Sequence, residues 1–323
     1  MSLPTLYISK LLPEPVMAAL RAGYSLVSEP REDHIPTDED RRHGFARAEA
    51  VICTLADPIT DDLLAAAPRL KIVANYAVGY NNIDVAAATR RGIVVTNTPD
   101  VLTDATADLT WALMLAVARR VVEGDRWARS GQWTGWAPTQ MLGTDVSGKT
   151  LGIIGMGRIG QAVALRAQGF RMPVLYASRR PCSRPPGVST WIHRPLEEVL
   201  TQADFISLHV PFSVATRHLI GSRELAMMKS TAFLINTSRG PVIDEAALLA
   251  ALRKGTIAGA GLDVYEREPL ITAGLETLPN VVLLPHLGSA TQQVRIKMGM
   301  LCVENIAMVL GGRPPLNPVN RQD

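Results

Sequence analysis

The chain has 323 residues, of which 47% are hydrophobic and 20% charged, and its formal net charge is +3. This composition is ordinary for a globular protein and argues against wholesale disorder, while the length exceeds one usual hydrophobic core and predicts two domains. Lysine and arginine are scattered along the chain, so we expect neither nucleic acid nor a membrane as a partner. The cysteines form no C-x-x-C pair and the N-terminus has no signal-peptide layout, so we expect a cytoplasmic protein.

Short apolar runs alternate with helical segments along most of the chain. Before residue 100 the runs predict parallel strands, buried on both faces, at Leu6–Ser9, Val51–Thr54, Lys71–Ala74 and Ile93–Thr96. Helical spacing between them predicts helices at Pro13–Ala22, Asp61–Ala67 and Val85–Arg91. One long helical connection is predicted over Thr103–Arg129. Further strands are predicted at Thr150–Ile154, Val174–Ala177, Asp204–Leu208, Ala232–Ile235, Ala258–Val264 and Val281–Leu284.

The last predicted helix, Thr291–Leu310, follows the last strand, and we expect it to return to the first domain. The pattern therefore predicts an α/β fold with two Rossmann-like domains and parallel sheets. We expect one domain to be discontinuous, formed by residues 1–99 and 288–323, and the other to span residues 100–287. The run Pro181–Gly187 predicts a loop.

A glycine-rich motif, Gly155-Met156-Gly157-Arg158-Ile159-Gly160, stands between a predicted strand and a helical segment. A buried strand, a tight glycine turn and a helix form the context that the dinucleotide fingerprint requires. The first glycine permits the turn, the second allows the backbone to approach a pyrophosphate, and the third lets the helix pack on the strand. The phosphates would then bind at the positive end of the helix. The motif predicts a bound dinucleotide.

Three predicted strands end in side chains that suit the reduction of a keto acid. Arg239 follows one strand, and its planar guanidinium matches a carboxylate and a ketone oxygen. Glu268 and His286 follow the next two strands. In open α/β sheets, ligands bind at the carboxyl ends of the strands, so the three groups together point to one site.

Each of these residues also has a simpler interpretation. Taken alone, Arg239 could form a surface ion pair, His286 could be a structural histidine, and Glu268 could lie in a solvated turn. His209 also ends a predicted strand and is the main rival to His286. Its neighbours Val210 and Pro211 suggest a loop beside the cofactor instead. No spacing of His, Cys and Glu resembles a metal site.

The chain resembles the D-2-hydroxyacid dehydrogenases over nearly its whole length, and within them the glyoxylate/hydroxypyruvate reductases. Several motifs in the same order carry the resemblance: Val78–Asp84, Thr96–Pro99, the glycine motif, Thr237–Gly240, Gly261–Val264, Glu268-Pro269 and Pro285-His286. The stretch Asn97–Asp108 is especially similar to the reductases. The resemblance implies a dimer in which a nucleotide-binding domain is inserted into a discontinuous, flavodoxin-like substrate domain.

The resemblance also implies roles for individual residues. His286 would donate a proton to the substrate during reduction, and Glu268 would keep it protonated because a neighbouring carboxylate favours the imidazolium. Arg239 would hold the substrate carboxylate and polarise its carbonyl. Backbone amides of Val78 and Gly79 would complete the carboxylate site. Trp136 resembles a tryptophan that reaches the partner subunit's active site; a dimer contact without substrate is the other interpretation.

Cofactor choice is predicted from the residues after the glycine motif. An NAD site expects an acidic residue about 20 positions on, whereas here the predicted strand ends in Ser178-Arg179-Arg180 and the next acid is Glu197. Two guanidinium groups would pair with a 2′-phosphate, so we expect NADP(H) to be preferred and NAD(H) to be possible, unless both arginines only face solvent. The candidate cofactor-binding residues are Thr106, Gly155, Gly157, Arg158, Ile159, Gly160, Ser178, Arg179, Arg180, Val210, Pro211, Thr216, Thr237, Ser238, Asp263, His286 and Gly288.

The sequence is also compatible with other activities of the same fold. The expected substrate is a small 2-keto or 2-hydroxy acid such as glyoxylate or hydroxypyruvate, and another 2-hydroxyacid dehydrogenase is the nearest alternative. Phosphite dehydrogenases resemble the chain too, but they carry a lysine next to the glycine of the substrate loop, where Val78 stands here with Ala77 before it. A non-catalytic NAD(P)-sensing protein, similar to the dehydrogenase-like corepressors, would keep the same Arg, Glu and His.

Overall fold

The computed structural model describes residues 3–32, 34–183, 185, 187–188 and 191–320. Of the predicted loop Pro181–Gly187, positions 184 and 186 lie outside the described residues, and the remainder forms neither helix nor strand. By its internal contacts the chain divides into two compact units. The first extends to Leu102 and resumes at Ser289, and the second is Thr103–Gly288.

The strands are close to the predicted runs, with two short additions at β2 and β8. They are β1 (Thr5–Ile8), β2 (Ser25–Leu26), β3 (Ala50–Cys53), β4 (Ile72–Asn75), β5 (Val94–Thr96), β6 (Leu151–Ile154), β7 (Val174–Ala177), β8 (Trp191–His193), β9 (Phe205–Leu208), β10 (Phe233–Asn236), β11 (Gly259–Leu262) and β12 (Val281–Leu283).

The helices connect these strands in the manner of parallel βαβ units. They are α1 (Glu14–Gly23), α2 (Asp38–Arg47), α3 (Asp61–Ala65), α4 (Val85–Arg90), α5 (Thr103–Ala118), α6 (Val121–Arg129), α7 (Arg158–Arg166), α8 (Leu196–Gln202), α9 (Ser222–Met227), α10 (Glu245–Lys254) and α11 (Gln292–Leu310). Short 3₁₀ turns occur at Ala167–Phe170, Val214–Thr216, Gly240–Val242 and Leu275–Thr277.

The first unit contains a five-stranded parallel sheet in the order β2-β1-β3-β4-β5. This is the flavodoxin-like order, and the unit includes α11, which contacts α1 and β4. Near the chain end, Asn320 bonds to the backbone at β5, a contact that the sequence did not predict. Asn320 accepts a hydrogen bond from Val95 N through Oδ1 at 2.8 Å and donates to Ile93 O through Nδ2 at 2.9 Å.

The second unit contains a seven-stranded parallel sheet in the order β12-β11-β10-β9-β6-β7-β8. This is the doubly wound dinucleotide-binding order with one further strand at the β12 edge. Alternate residues of each strand enter two separate apolar cores: in β6, Leu151 and Ile153 pack on one face while Ile154 packs on the other. The α/β class and the parallel sheets are therefore confirmed.

The prediction of one helix over Thr103–Arg129 is wrong. The helix ends at Ala118, and Arg120 adopts a left-handed conformation with φ +54° before α6 begins. Thr144 N donates to Ala118 O at 2.8 Å, which occupies the carbonyl that a continuing helix would use. The sequence has no glycine or proline at this break, so no local signal predicts it, and the contact at Ala118 comes from a residue distant in the chain.

Close packing of α1 against α11 generates a stability prediction. A Cβ added at Gly299 would lie 2.5 Å from Cγ2 of Val16, whereas one added at Gly23 would meet no atom within 4 Å. We expect Gly299→Ala to lower the free energy of unfolding by about 1–3 kcal/mol through overpacking, despite the better helix propensity of alanine. Gly23→Ala is the control and should leave it nearly unchanged. Urea denaturation measures both, and equal midpoints would contradict this account of the packing.

Candidate active site

The glycine motif forms the turn between β6 and α7. Gly155 has φ +100°, and a Cβ there would lie 2.6 Å from the carbonyl carbon of His209. A Cβ on Gly160 would overlap the carbonyl oxygen of Gly155. Around Gly157, by contrast, a Cβ would meet no atom within 4 Å, and α7 has neither a side-chain cap nor an acidic residue in its first turn. The turn therefore fits the pyrophosphate of a dinucleotide, which would approach at Gly157 and bind at the positive N-terminal end of α7.

The end of the neighbouring strand β7 carries the basic pair. Arg179 and Arg180 are exposed, and within the described part of the chain neither has a carboxylate partner. Ser178 Oγ donates to Arg180 O at 2.6 Å, and His193 Nε2 donates to Ser178 O at 3.0 Å. Because β6 and β7 are parallel neighbours, the two arginines and the glycine turn lie at the same edge of the sheet.

The loop after β9 lies at this edge as well, since β9 also pairs with β6. Thr216 Oγ1 donates to Pro211 O at 2.7 Å and accepts from Ser213 N at 2.8 Å, which closes a compact turn beginning at Val210. Thr237 and Ser238 follow β10, the next strand of the sheet. The structure thus brings the predicted cofactor residues of four strands to one edge.

His286 and Glu268 form a direct pair. His286 Nδ1 lies 2.8 Å from Glu268 Oε2, and Tyr265 N donates to the other oxygen, Oε1, at 3.1 Å. Burial by itself raises the pKa of Glu268, but the hydrogen bond and charge of His286, the Tyr265 amide and Arg239 outweigh it and hold that pKa below its ordinary value. Glu268 is therefore a carboxylate near neutral pH and accepts a hydrogen bond from the His286 ring.

The turn that carries His286 is fastened to Asp263. His286 has φ +57°, a conformation that a non-glycine residue adopts only when its surroundings hold it. His286 N donates to Asp263 O at 2.9 Å, and the Asp263 carboxylate accepts from Leu287 N at 2.6 Å and Gly288 N at 2.8 Å. Burial raises the pKa of Asp263 although these two amides oppose the shift.

Thr106 completes this turn from α5. Its Oγ1 donates to Gly288 O at 3.0 Å, and a Cβ on Gly288 would lie 3.4 Å from Asp263 Oδ2 and 3.5 Å from Thr106 Oγ1. The structure therefore brings Thr106, Asp263 and Gly288 together, with their polar groups engaged in shaping the turn. Their contact with a cofactor stays a prediction.

Arg239 follows β10 and is partly buried. Its guanidinium donates to Ser238 O at 2.7 Å, and Asn236 Nδ2 donates to Arg239 O at 3.0 Å, which fixes the backbone after the strand. Burial lowers the pKa of Arg239, and the negative charge of Glu268 partly opposes that shift. Arginine stays protonated in proteins, so a permanent cation stands beside the His286–Glu268 pair.

His209 is not equivalent to His286. Burial lowers the pKa of His209 to about 3, so its ring is neutral near pH 7, and Ser207 Oγ lies 2.8 Å from its Nε2. Its backbone packs against Gly155, as described above. These contacts favour His286 as the proton donor and give His209 a structural place beside the glycine turn.

Two residues that the sequence analysis missed support the site. Tyr265 holds Glu268 through its amide, and its hydroxyl donates to Leu284 O at 2.9 Å, so it spans β11 and β12. Asn236 is fully buried and its Oδ1 accepts from Ser238 N at 3.0 Å. Asparagine at a strand end commonly forms such a turn, and this was the signal available in the sequence.

The remaining predicted residues lie elsewhere. Val78 and Gly79 follow β4 in the first unit, where Asn97 Nδ2 donates to Val78 O at 2.8 Å and Asn75 Nδ2 donates to Gly79 O at 2.9 Å. Within the described residues, the amides of Val78 and Gly79 have no hydrogen-bond acceptor. Trp136, in the second unit, is 81% exposed.

Comparisons with known proteins agree with this architecture. Residues 111–288 match the family model described as "D-isomer specific 2-hydroxyacid dehydrogenase, NAD binding domain". A glyoxylate reductase of Thermococcus gammatolerans is 48% identical over 326 aligned positions, which cover 99% of this chain and 96% of the relative. The chain belongs to the D-isomer specific 2-hydroxyacid dehydrogenase family. It is thus an oxidoreductase that uses NAD(P), and the sequence resemblance is confirmed.

Solved structures give the same result for the fold. A protein of Thermus thermophilus superposes with a TM-score of 0.92 at 44% identity and covers 98% of this chain and 100% of that one. An NADPH-dependent glyoxylate/hydroxypyruvate reductase of Sinorhizobium meliloti, solved with NADP and malonate, has a TM-score of 0.85 at 35% identity, covering 98% and 97% of the two chains. Among the described residues, no helix is long and apolar enough to cross a membrane.

The depressed pKa of His209 predicts how acid affects stability. Between its ordinary value of 6.5 and about 3, the unfolded chain binds a proton at this ring that the folded chain does not. The free energy of unfolding should therefore fall as the pH falls through this window, by up to about 1.4 kcal/mol per pH unit from this group. His209→Gln removes the titrating ring and should flatten this decline, as measured by urea denaturation from pH 7 to pH 4. His43→Gln, at an exposed histidine, is the control; equal slopes in wild type and His209→Gln would refute the assignment.

Proposed function

We propose that this protein reduces a small 2-keto acid, glyoxylate or hydroxypyruvate, to the D-2-hydroxy acid. The observation that carries the proposal is the His286–Glu268 pair at 2.8 Å with the Arg239 cation beside it, at the carboxyl ends of neighbouring strands. The reductases of Thermococcus gammatolerans and Sinorhizobium meliloti, to which the chain is similar, support this choice of substrate by their names.

Each residue of the proposed site has a distinct task. Arg239 binds the substrate carboxylate through paired hydrogen bonds and polarises the carbonyl that is to be reduced. The nicotinamide cofactor, when bound, supplies the hydride. His286 holds the proton that passes to the carbonyl oxygen as negative charge develops there, and Glu268 keeps the ring oriented through its contact with Nδ1. The amides of Val78 and Gly79 have no acceptor among the described residues and are suited to donate hydrogen bonds to a carboxylate oxygen, so they are included in the proposal.

NADP(H) is the proposed preferred cofactor, with NAD(H) as a weaker alternative. Arg179 and Arg180 are exposed and have no carboxylate partner among the described residues, and no acidic residue follows β7 at the position an NAD site would use. An unneutralised basic pair at this edge favours a ligand that carries a 2′-phosphate. The NADPH dependence stated for the Sinorhizobium meliloti reductase supports the same choice.

A homodimer in the cytoplasm is part of the proposal. The segment around α6 exposes large apolar side chains: Val121 is 54% exposed, Trp133 55%, Trp136 81% and Leu142 65%. Exposed tryptophans in one segment are typical of a protein interface, and a second copy of this chain is the occupant that the family resemblance implies. The three cysteines are free thiols, as a reducing compartment would keep them.

The proton-donor assignment predicts the effect of removing the imidazole. His286→Gln should lower kcat for glyoxylate reduction by about 10²–10⁴-fold, because general acid catalysis is lost, while the Kd for NADPH changes little. Steady-state NADPH oxidation and fluorescence titration measure the two quantities, and His43→Gln is the control at an exposed site. Undiminished turnover by the variant would refute the assignment. If the wild type oxidises NADPH with no member of a 2-keto acid panel, a nucleotide-sensing protein becomes the better account.

The cofactor assignment predicts a selective loss of NADPH binding. Replacing Arg179 and Arg180 together by Ala should raise KM for NADPH about 10- to 100-fold through loss of charge-assisted hydrogen bonds to the 2′-phosphate. KM for NADH should change by less than about 2-fold, because both guanidinium groups are exposed and support no described ion pair. Replacing exposed Arg171 by Ala is the control. A wild-type enzyme with equal kcat/KM for NADH and NADPH would contradict the preference.

A further inference from the structure

A second carboxylate cluster lies behind the candidate site and has no part in the roles described above. Its centre is Glu245, which is the first residue of α10 and is only 3% exposed. Glu245 Oε1 accepts from Glu266 N at 2.6 Å, and Oε2 accepts from Thr272 Oγ1 at 2.5 Å. In the opposite direction, Glu245 N donates to the side-chain oxygen Oε2 of Glu266 at 3.4 Å. Burial of a carboxylate is costly, so the hydrogen bonds that hold it are strongly constrained.

This cluster joins the segments that carry the proposed catalytic side chains. Gly240, which directly follows Arg239, lies so close to the Tyr265–Glu266 peptide that a Cβ on it would overlap the peptide atoms. Glu266 Oε1 lies 2.7 Å from His218 Nε2, and His218 N donates to Pro241 O at 2.9 Å. The segments containing residues 239–245, 265–268 and 218–220 are therefore tied to one another around the Glu245 carboxylate.

The connection to the His286–Glu268 pair runs through a short turn. Glu245 fixes the amide of Glu266, and the preceding amide, Tyr265 N, fixes Glu268 Oε1. Glu266 stands two residues before Glu268, so if its backbone were displaced, Glu268 would move with it and Glu268 Oε2 would leave the position 2.8 Å from His286 Nδ1. Reacting groups that are displaced by a fraction of an ångström lose much of their rate.

We infer that Glu245 is a positioning residue for the reaction: its buried carboxylate holds the turn from Tyr265 to Glu268 and thereby aims Glu268 at His286. The inference rests on the proposed function, in which the His286–Glu268 pair delivers the proton. It assigns Glu245 no contact with substrate or cofactor.

Two variants of Glu245 separate positioning from stability. In Glu245→Ala both acceptor oxygens are lost, and we expect kcat to fall about 10- to 100-fold while the Kd for NADPH changes less than about 2-fold. In Glu245→Gln the amide oxygen can still accept from Glu266 N and the amide nitrogen can face the Thr272 hydroxyl, so most of kcat should return. Glu276→Ala is the matched control: its carboxylate accepts from Gly274 N at 2.8 Å in the same loop, and it is exposed.

A double-mutant cycle tests the route through Glu268. In a Glu268→Gln background, Glu245→Ala should lower kcat by less than about 2-fold, because residues that act as a unit are strongly non-additive. Full additivity, or a loss of thermal stability with unchanged kcat for the folded protein, would overturn the inference. If Glu245→Ala fails to fold, Thr272→Val removes the donor to Glu245 Oε2 alone, and an unchanged kcat for that variant would also overturn the inference.

One readout does not depend on turnover. In protein labelled with ¹⁵N-histidine, which has six histidines to assign, the Nδ1 proton of His286 bonded to Glu268 should give a downfield resonance that is absent in His286→Gln. Glu245→Ala should weaken or shift this resonance, whereas Glu276→Ala should leave it unchanged. If Glu245→Ala weakens or shifts the resonance but the wild type reduces no 2-keto acid, the proposed function fails while the holding of Glu268 by Glu245 stands. If Glu245→Ala leaves the resonance in place, the positioning role fails.

Discussion

Parallel pairing of three neighbouring strands is the constraint on which the candidate site depends. The register places Asn236 of β10 opposite Leu262 of β11, and Leu262 opposite Leu283 of β12. The three strands therefore end at the same level, and the segments after them emerge at one edge of the sheet. Apolar side chains fill both faces, so a shift of one residue would turn buried positions toward the wrong core. Burial of these strands thus fixes the strand ends from which the segments containing Arg239, Glu268 and His286 start.

Ionisable groups that burial penalises are held by local hydrogen bonds. The Asp263 carboxylate accepts two backbone amides, the Glu245 carboxylate accepts an amide and a hydroxyl, and Glu268 accepts an amide and faces His286. Asp263 and Glu268 connect the segment after β11 to the segment after β12, and Glu245 connects the start of α10 to the segment after β11. Their cost in desolvation is offset by these bonds, and the result is a rigid frame that keeps His286 in an unfavourable backbone conformation with φ +57°.

Other parts of the second unit are left open in a manner that suits binding. Gly157 has empty space where a side chain would be, Arg179 and Arg180 face solvent, and Trp136 is 81% exposed. The first two features lie at the same edge of the sheet as the strand ends of the candidate site. The His286 turn, by contrast, is held by hydrogen bonds within the protein itself, as a preorganised reaction centre requires.

Most of the fold could be predicted from the sequence because the signals are local. Alternating apolar runs indicate the strands, the glycine motif indicates the turn before α7, and the residues at the strand ends indicate the edge at which chemistry occurs. The helix break at Arg120 and the hydrogen bonds of Asn320 to β5 were not predicted, since each depends on a contact between residues distant in the chain. Thr144 makes the contact at the helix break, and Val95 makes the contact with Asn320. The strand β8 is short and has no distinctive pattern.

By itself, the sequence determined the fold class and the family, and it predicted Arg239, Glu268 and His286 as site residues, because residue types and their order along the chain carry that information. Only the tertiary structure decided which side chains meet. Burial in the folded chain keeps the His209 ring neutral near pH 7. The fold also brings Asp263 and Thr106 to the turn that carries His286. Tyr265 and Glu245 hydrogen-bond to the segment from residue 265 to residue 268. The physical reason is that burial and hydrogen bonding are properties of residues brought together by folding, and no single segment contains them.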